Sequence, residues 1–206
     1  MTETNISISN KALIKCGAGT IASFTEGSHE ANVCSTMYET TKKGLLYYTF
    51  WNFAIIKQAM NRLNETPTDK NFTYAHSLPG DIIRIKSVFN DEGRYLDDYK
   101  VEGQKIYSND QTLFLEYVQD MDEDKFPVFF VEALVAKVAY EINEAITGIG
   151  TLNDRLLNDF NIKLRAARIA DGQENPPTNV MPAGRLIQAH LGNVSTSNPR
   201  YLRHEN

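Results

Sequence analysis

The chain is short of the residues from which metal sites, disulfide scaffolds and membrane spans are built. Its 206 residues include 2 cysteines, Cys16 and Cys34, each inside a helical pattern and far outside CxxC spacing, so both read as small core residues. The 4 histidines, His29, His76, His190 and His204, form no i,i+4 pair and no HExxH unit, which removes the usual reasons to propose zinc. The longest apolar run, Leu45 to Ile56, contains Asn52 and falls short of the roughly 20 residues that span a bilayer. No basic-then-apolar leader opens the chain, because Met1 to Ser9 is polar and acidic, so an intracellular site of synthesis is expected. Basic charge is scarce as well: 21 Lys and Arg against 26 Asp and Glu leave a net charge of -5, which argues against a protein that grips duplex nucleic acid. The pair Lys42-Lys43 reads as a solvated helix face.

What is present is an ordinary globular composition, 42% hydrophobic and 23% charged, in a chain long enough to bury a core. Ile8 to Cys16 reads as a short helix stopped by Gly17. Gly17 to Ala22 matches GxGxxA, but a dinucleotide fingerprint needs a strand before it, and here a helix precedes, so no cofactor is expected. A long helix is expected from Thr25–His29 through Arg62, kinked or split near Gly44 and the aromatic run Tyr47 to Phe53. That run holds the only tryptophan, Trp51, and is too bulky for one side of a helix. Its rings therefore meet the subunit's own core or a neighbouring subunit, the first being the simpler reading.

Pro67 closes this region, and four strand-like pieces follow: Phe72 to Leu78, Ile82 to Phe89, Tyr99 to Ser108 with a turn at Glu102-Gly103, and Thr112 to Gln119. Asp91 to Asp98 fails the calcium-loop pattern and reads as a polar hairpin tip. The acidic run Asp120, Asp122, Glu123 and Asp124 before Pro127 suits the first turn of a helix. An amphipathic helix from Phe126 to Thr147 and a second from Leu152 to Ala170 form a hairpin around Gly148 to Gly150. After Asp171-Gly172 four prolines punctuate a polar segment with scattered apolar anchors, which suggests an arm that docks on a partner.

Five stretches carry a likeness. They are Ala12-Leu13-Ile14-Lys15-Cys16-Gly17 with Ile21-Ala22-Ser23 and Glu26; Trp51-Asn52-Phe53-Ala54; Tyr74 to Asp81, ending Leu78-Pro79-Gly80-Asp81; Tyr99 to Gly103 with Ile106-Tyr107; and Phe126 to Ala139. In that order, from about Ile8 to Glu174, they resemble the tail tubular protein A type of head-to-tail adaptor of short-tailed bacteriophages.

The resemblance implies an α+β fold, mainly α: an antiparallel helical bundle with a small antiparallel β insertion and an extended C-terminal arm. Residues 1–66 would be the first part of the bundle, 67–124 the β-rich insertion, 125–172 the helical hairpin that completes the bundle, and 173–206 the arm. It further implies a structural virion protein without catalysis or cofactor, made in the host cytoplasm. About twelve copies would form a ring between portal and tail nozzle, with DNA passing through the lumen without specific binding and no membrane involved. The arm, through Val180, Met181, Arg185, Leu186, Ile187, Leu191, Tyr201 and Leu202, would embrace the portal. Tyr48, Trp51, Phe53, Leu78, Pro79 and Asp81 are candidates for packing within the subunit or between ring neighbours.

Two other readings stand beside this one. The first is an adaptor that also cuts cell-wall glycans, with Glu26 and Glu39, or Glu141 and Glu144, as an acid and base pair held about 5 to 9 Å apart in a cleft. The second is a non-viral interaction module that reuses the fold.

Overall fold

The computed structural model describes residues 3–174. Helix α1 spans Asn5–Cys16, and Thr4 starts it. The Thr4 hydroxyl accepts the Ser7 N–H at 3.1 Å while the Ser7 hydroxyl accepts the Thr4 N–H at 2.9 Å, a reciprocal capping box. Gly17 ends the helix at φ 78°, a left-handed conformation that glycine adopts without steric cost. Helix α2 spans His29–Tyr48 and is capped by the Ser28 hydroxyl, which accepts the Ala31 N–H at 3.2 Å.

The expectation of one helix running on to Arg62 is overturned, because α2 stops at Tyr48. Thr49 turns extended, and the buried Trp51 folds back so that its indole N–H donates to the Leu45 carbonyl at 2.9 Å. Leu45 is among the last four carbonyls of the helix, which have no partner inside it, so the indole satisfies a group that continued helix would have used. Asn52–Ala54 then form a single 3-10 turn, and strand β1, Ile55–Ala59, follows directly. The β part therefore begins at Ile55 and not at residue 67. Ile55, Ala59 and Leu63, whose spacing imitated a helix, are strand residues.

The other strands are β2 Asn61–Leu63, β3 Tyr74–Ser77, β4 Ile82–Phe89, β5 Lys100–Glu102, β6 Lys105–Ser108 and β7 Phe114–Gln119. They form two antiparallel sheets, in the orders β1-β7-β4 and β2-β3-β6-β5, where a single small sheet was expected. The three-stranded sheet is the middle layer, because alternate side chains of a strand point to opposite faces. Val118 enters the core formed by the helices, while Leu115 and Tyr117 enter a second core with Met60, Val88, Ile106 and Leu113. Two register shifts in β4, between Ile82 and Arg84 and between Ile85 and Ser87, let one long strand serve both faces.

Helix α3, Val128–Thr147, is apolar on nearly every side, with Phe130, Val131, Leu134, Val135, Val138 and Ile142 among its buried residues. A helix hydrophobic all round is a central one, and α3 packs against α1, α2 and helix α4, Thr151–Glu174. Gly148 closes α3 at φ 65° and starts the turn into α4. The fold is thus mixed α+β, mainly α, with the antiparallel sheets inserted between α2 and α3. The helix expected to end near Ala170 continues through Asp171 and Gly172, because the buried Asp171 has a partner, Asn52, there.

Candidate functional site

The stretch Trp51 to Ala54 is the corner at which the helices meet the sheets. Trp51 is fully buried, and its ring stands edge-on to Phe130 at 5.2 Å between centroids. Phe53 continues the cluster, 4.9 Å from Phe130 and 6.0 Å from Phe126. Asn52 faces away from these rings and is clamped by Asp171 of α4. Its backbone N–H donates to Asp171 Oδ1 at 2.8 Å, and its side-chain amide donates to the Asp171 carbonyl at 2.7 Å and to Oδ2 at 3.2 Å. Burial pushes the Asp171 carboxyl up from its ordinary range, and the Asn52 N–H opposes that shift. The clamp ties the last turn of α4 to the corner.

Trp51 is therefore a core residue of its own subunit, the simpler of the two readings. Phe53 is half-buried on the same core. The turn Leu78 to Asp81 belongs elsewhere: Leu78 packs on the second core, and its N–H donates to the Gln104 carbonyl at 2.9 Å. The Asp81 carboxylate accepts from the Gln119 amide at 2.6 Å and from the Tyr117 hydroxyl at 3.4 Å. Burial and the Asp81 charge push the Tyr117 phenol up to about 12. Pro79 is half-buried in the same turn. The six candidates are thus divided: Trp51 and Phe53 serve the helical core, Leu78, Pro79 and Asp81 hold the sheets, and only Tyr48 is exposed, at 57%. The docking-arm candidates Val180, Met181, Arg185, Leu186, Ile187, Leu191, Tyr201 and Leu202 lie outside the described residues.

Beside Tyr48 the structure builds a shelf that the sequence does not announce. Arg84, from β4, lies 4.1 Å above the Phe50 ring and 5.2 Å from that of Tyr47, and donates to the Tyr47 carbonyl at 3.2 Å. Tyr47 is itself 57% exposed, so an aromatic surface with a fixed cation stands next to the corner.

The acidic run before Pro127 does not enter the first turn of α3, which holds no acidic residue. Its carboxylates instead enclose Lys42, which is buried rather than solvated. The Lys42 ammonium lies 3.3 Å from Asp120, 3.5 Å from Glu123 and 3.3 Å from Glu39, and Lys43 meets Asp120 at 3.3 Å. Burial alone would pull the Lys42 pKa down; Glu123, Asp120 and Glu39 outweigh it and hold the ammonium above its ordinary value. The only signal of this network in the sequence was the odd density of acid on a loop.

Three of the four carboxylates proposed for glycan chemistry are otherwise engaged. Glu26 accepts from the Ala22 N–H at 2.6 Å and the Ser28 hydroxyl at 2.6 Å, contacts led by Ser28 that hold its pKa low, where a general acid needs it raised. Glu39 pairs with Lys42, Glu141 pairs with Lys137 one turn away, and Glu144 is exposed. Gly17 to Ala22 follows a helix, and Cys16 and Cys34 are buried free thiols. Burial pushes the Cys34 thiol up to about 11. Among the described residues no group of three His, Cys, Asp or Glu is arranged to hold a metal ion, and no helix is long and apolar enough to cross a membrane.

A groove of about 520 Å³ runs beside α1, α3 and α4, with Val128, Val131 and Val135 on its floor. Its rim lysines are already paired: Lys11 with Glu3, Lys15 with Asp159 and Lys163 with Glu132. Comparison of the chain with protein-family models and with curated protein sequences gives no match.

Proposed function

We propose that this chain is a structural adaptor of the head-to-tail kind, assembling as a ring of its own copies between a portal and a tail nozzle in a virion. One observation carries the reading: the stretches that resemble the adaptor family fall at the joints of this fold. Gly17 ends α1; Trp51 to Ala54 form the corner; Leu78 to Asp81 latch the sheets; Glu102-Gly103 turn β5 into β6; Phe126 to Ala139 open the central helix. Residues placed at joints specify a build, which supports reading the likeness as one of architecture. The reading includes the helices as a bundle and residues 173–206 as the arm that reaches the portal.

Charge supports the same role. A net charge of -5 per copy, repeated around a ring, gives a lumen that repels a DNA backbone rather than holding it. Electron microscopy of the purified full chain mixed with its portal is the decisive experiment. Rings seated on the portal are expected; single copies that never join the portal would rule the proposal out.

A further inference from the structure

Helix α4 presents a surface that nothing among the described residues uses. With its core stripe of Leu156, Phe160, Leu164 and Ala167 turned inward, the opposite side carries Ile162 and Ile169, 58% and 57% exposed. Between and beside them stand Arg155, Arg165 and Arg168, and among the described residues none of the three has an ion-pair partner. Asp159, on the flank of this face, is already paired with Lys15, and Asp154 lies in the first turn of the helix. Arg165, Arg168 and Ile169 line a shallow hollow of about 620 Å³ together with Asn161 and Leu164. Such a surface, isoleucines set among free arginines, has the composition of a protein interface.

The complementary surface is on the same chain, at the hairpin tip that follows β4. Asp91, Asp97 and Asp98 are exposed and, among the described residues, unpaired, while the neighbouring Glu92 is paired with Arg94 at 2.9 Å. Among them in the chain stands Tyr95, 58% exposed, its ring steadied edge-on by Phe89 at 6.0 Å. Three carboxylates on a tip with an aromatic knob match two guanidiniums at one hollow, Arg165 and Arg168, with a third, Arg155, further along the helix. Among the described residues both surfaces are open, so they do not cover each other within one copy.

We infer that the outer face of α4 in one copy receives the Asp91–Asp98 hairpin tip of the next, Tyr95 entering the hollow beside Arg165 and Arg168. This rests on the ring reading above and names its contact. The stripe from Arg155 to Ile169 runs about 21 Å along the helix, long enough to seat a hairpin tip. A contact between two different surfaces is head-to-tail, and repeating it closes a ring when the rotation per copy closes. Arg stacked on Tyr with a carboxylate behind it adds direction that apolar contact alone lacks. The alternative occupant of a basic stripe is DNA, which the acidic tip has no means to explain.

The test uses the full chain with Arg165→Glu/Arg168→Glu, with Asp97→Lys/Asp98→Lys, and with all four changes together, sized by sedimentation velocity with and without portal. Each pair of reversals is expected to weaken self-association at least tenfold, and the fourfold variant to restore it. Tyr95→Ala is expected to weaken it by a similar factor while the melting curve is unchanged. Rings that ignore every reversal would overturn this contact and leave the ring standing. A wild-type chain that never self-associates, even with portal, would remove both. Reversal on α4 that abolishes binding to a short DNA duplex while rings persist would assign the stripe to DNA and refute the contact.

Discussion

Trp51 holds its place through two kinds of interaction at once. Its ring fills the helical core against Phe130, and its N–H answers the Leu45 carbonyl at the end of α2. Trp51→Ala removes both and is expected to cost about 3–5 kcal/mol in urea unfolding. Trp51→Phe keeps most of the ring and should lose about 1–3 kcal/mol, the share of a buried carbonyl left unpaired. Lys42 is the other residue on which neighbours depend. Because its folded pKa lies above the unfolded value, its contribution is fully present below the unfolded lysine value of about 10.4 and fades as pH rises through the folded value. Stability measured from pH 9 to 12 should therefore fall more steeply in the wild type than in Lys42→Met. Equal slopes would show that the carboxylates do not hold Lys42 in the folded state. Lys42→Ala at neutral pH is expected to cost about 3–5 kcal/mol, since it leaves Glu123 without a cation and Asp120 with the exposed Lys43 alone.

At the scale of elements, ends matter more than middles. The turn from α3 to α4 depends on Gly148 at φ 65°, where nothing lies within 4 Å of an added side chain, so the cost of Gly148→Ala is conformational and not steric crowding. About 1–2 kcal/mol is expected from thermal melting, and Gly150→Ala, whose φ is not positive, should cost clearly less. The α1 cap at Thr4 went unread because Asn5, Ser7 and Ser9 are weak helix formers, so periodicity only became visible at Ile8. The run of α4 past Ala170 to Glu174 went unread for the opposite reason. Asp171-Gly172 is a stop signal by composition, yet Asp171 is held inside by Asn52, 119 positions away in the chain. The bounds of strand β4 were legible from its β-branched run, but its faces were not, because the register shifts put Ile83 on the helical core and Ile85 on the second.

The described residues, 3–174, form two hydrophobic cores among themselves. Removing residues 175–206 is therefore expected to leave the melting transition of the subunit unchanged while abolishing association with the portal. Calorimetry and a portal pull-down on the truncated chain check the two halves separately, and a truncated chain that still binds the portal would refute the docking arm. Assembly through α4 and the hairpin tip, in contrast, should survive the truncation.

The helices α1, α3 and α4 and the strands β3 to β7 were readable from residue order, because each rests on local periodicity, caps and turns. The place where α2 ends, the burial of Lys42 and the partner of Asp171 were decided by tertiary structure alone. In all three cases the deciding contact is a buried polar group whose partner lies in a distant element or beyond the helix end: an indole for the Leu45 carbonyl, carboxylates of the pre-α3 loop for an ammonium, and an amide for Asp171. A buried polar group must find a partner wherever the fold brings one, and that distance in sequence leaves no periodic trace.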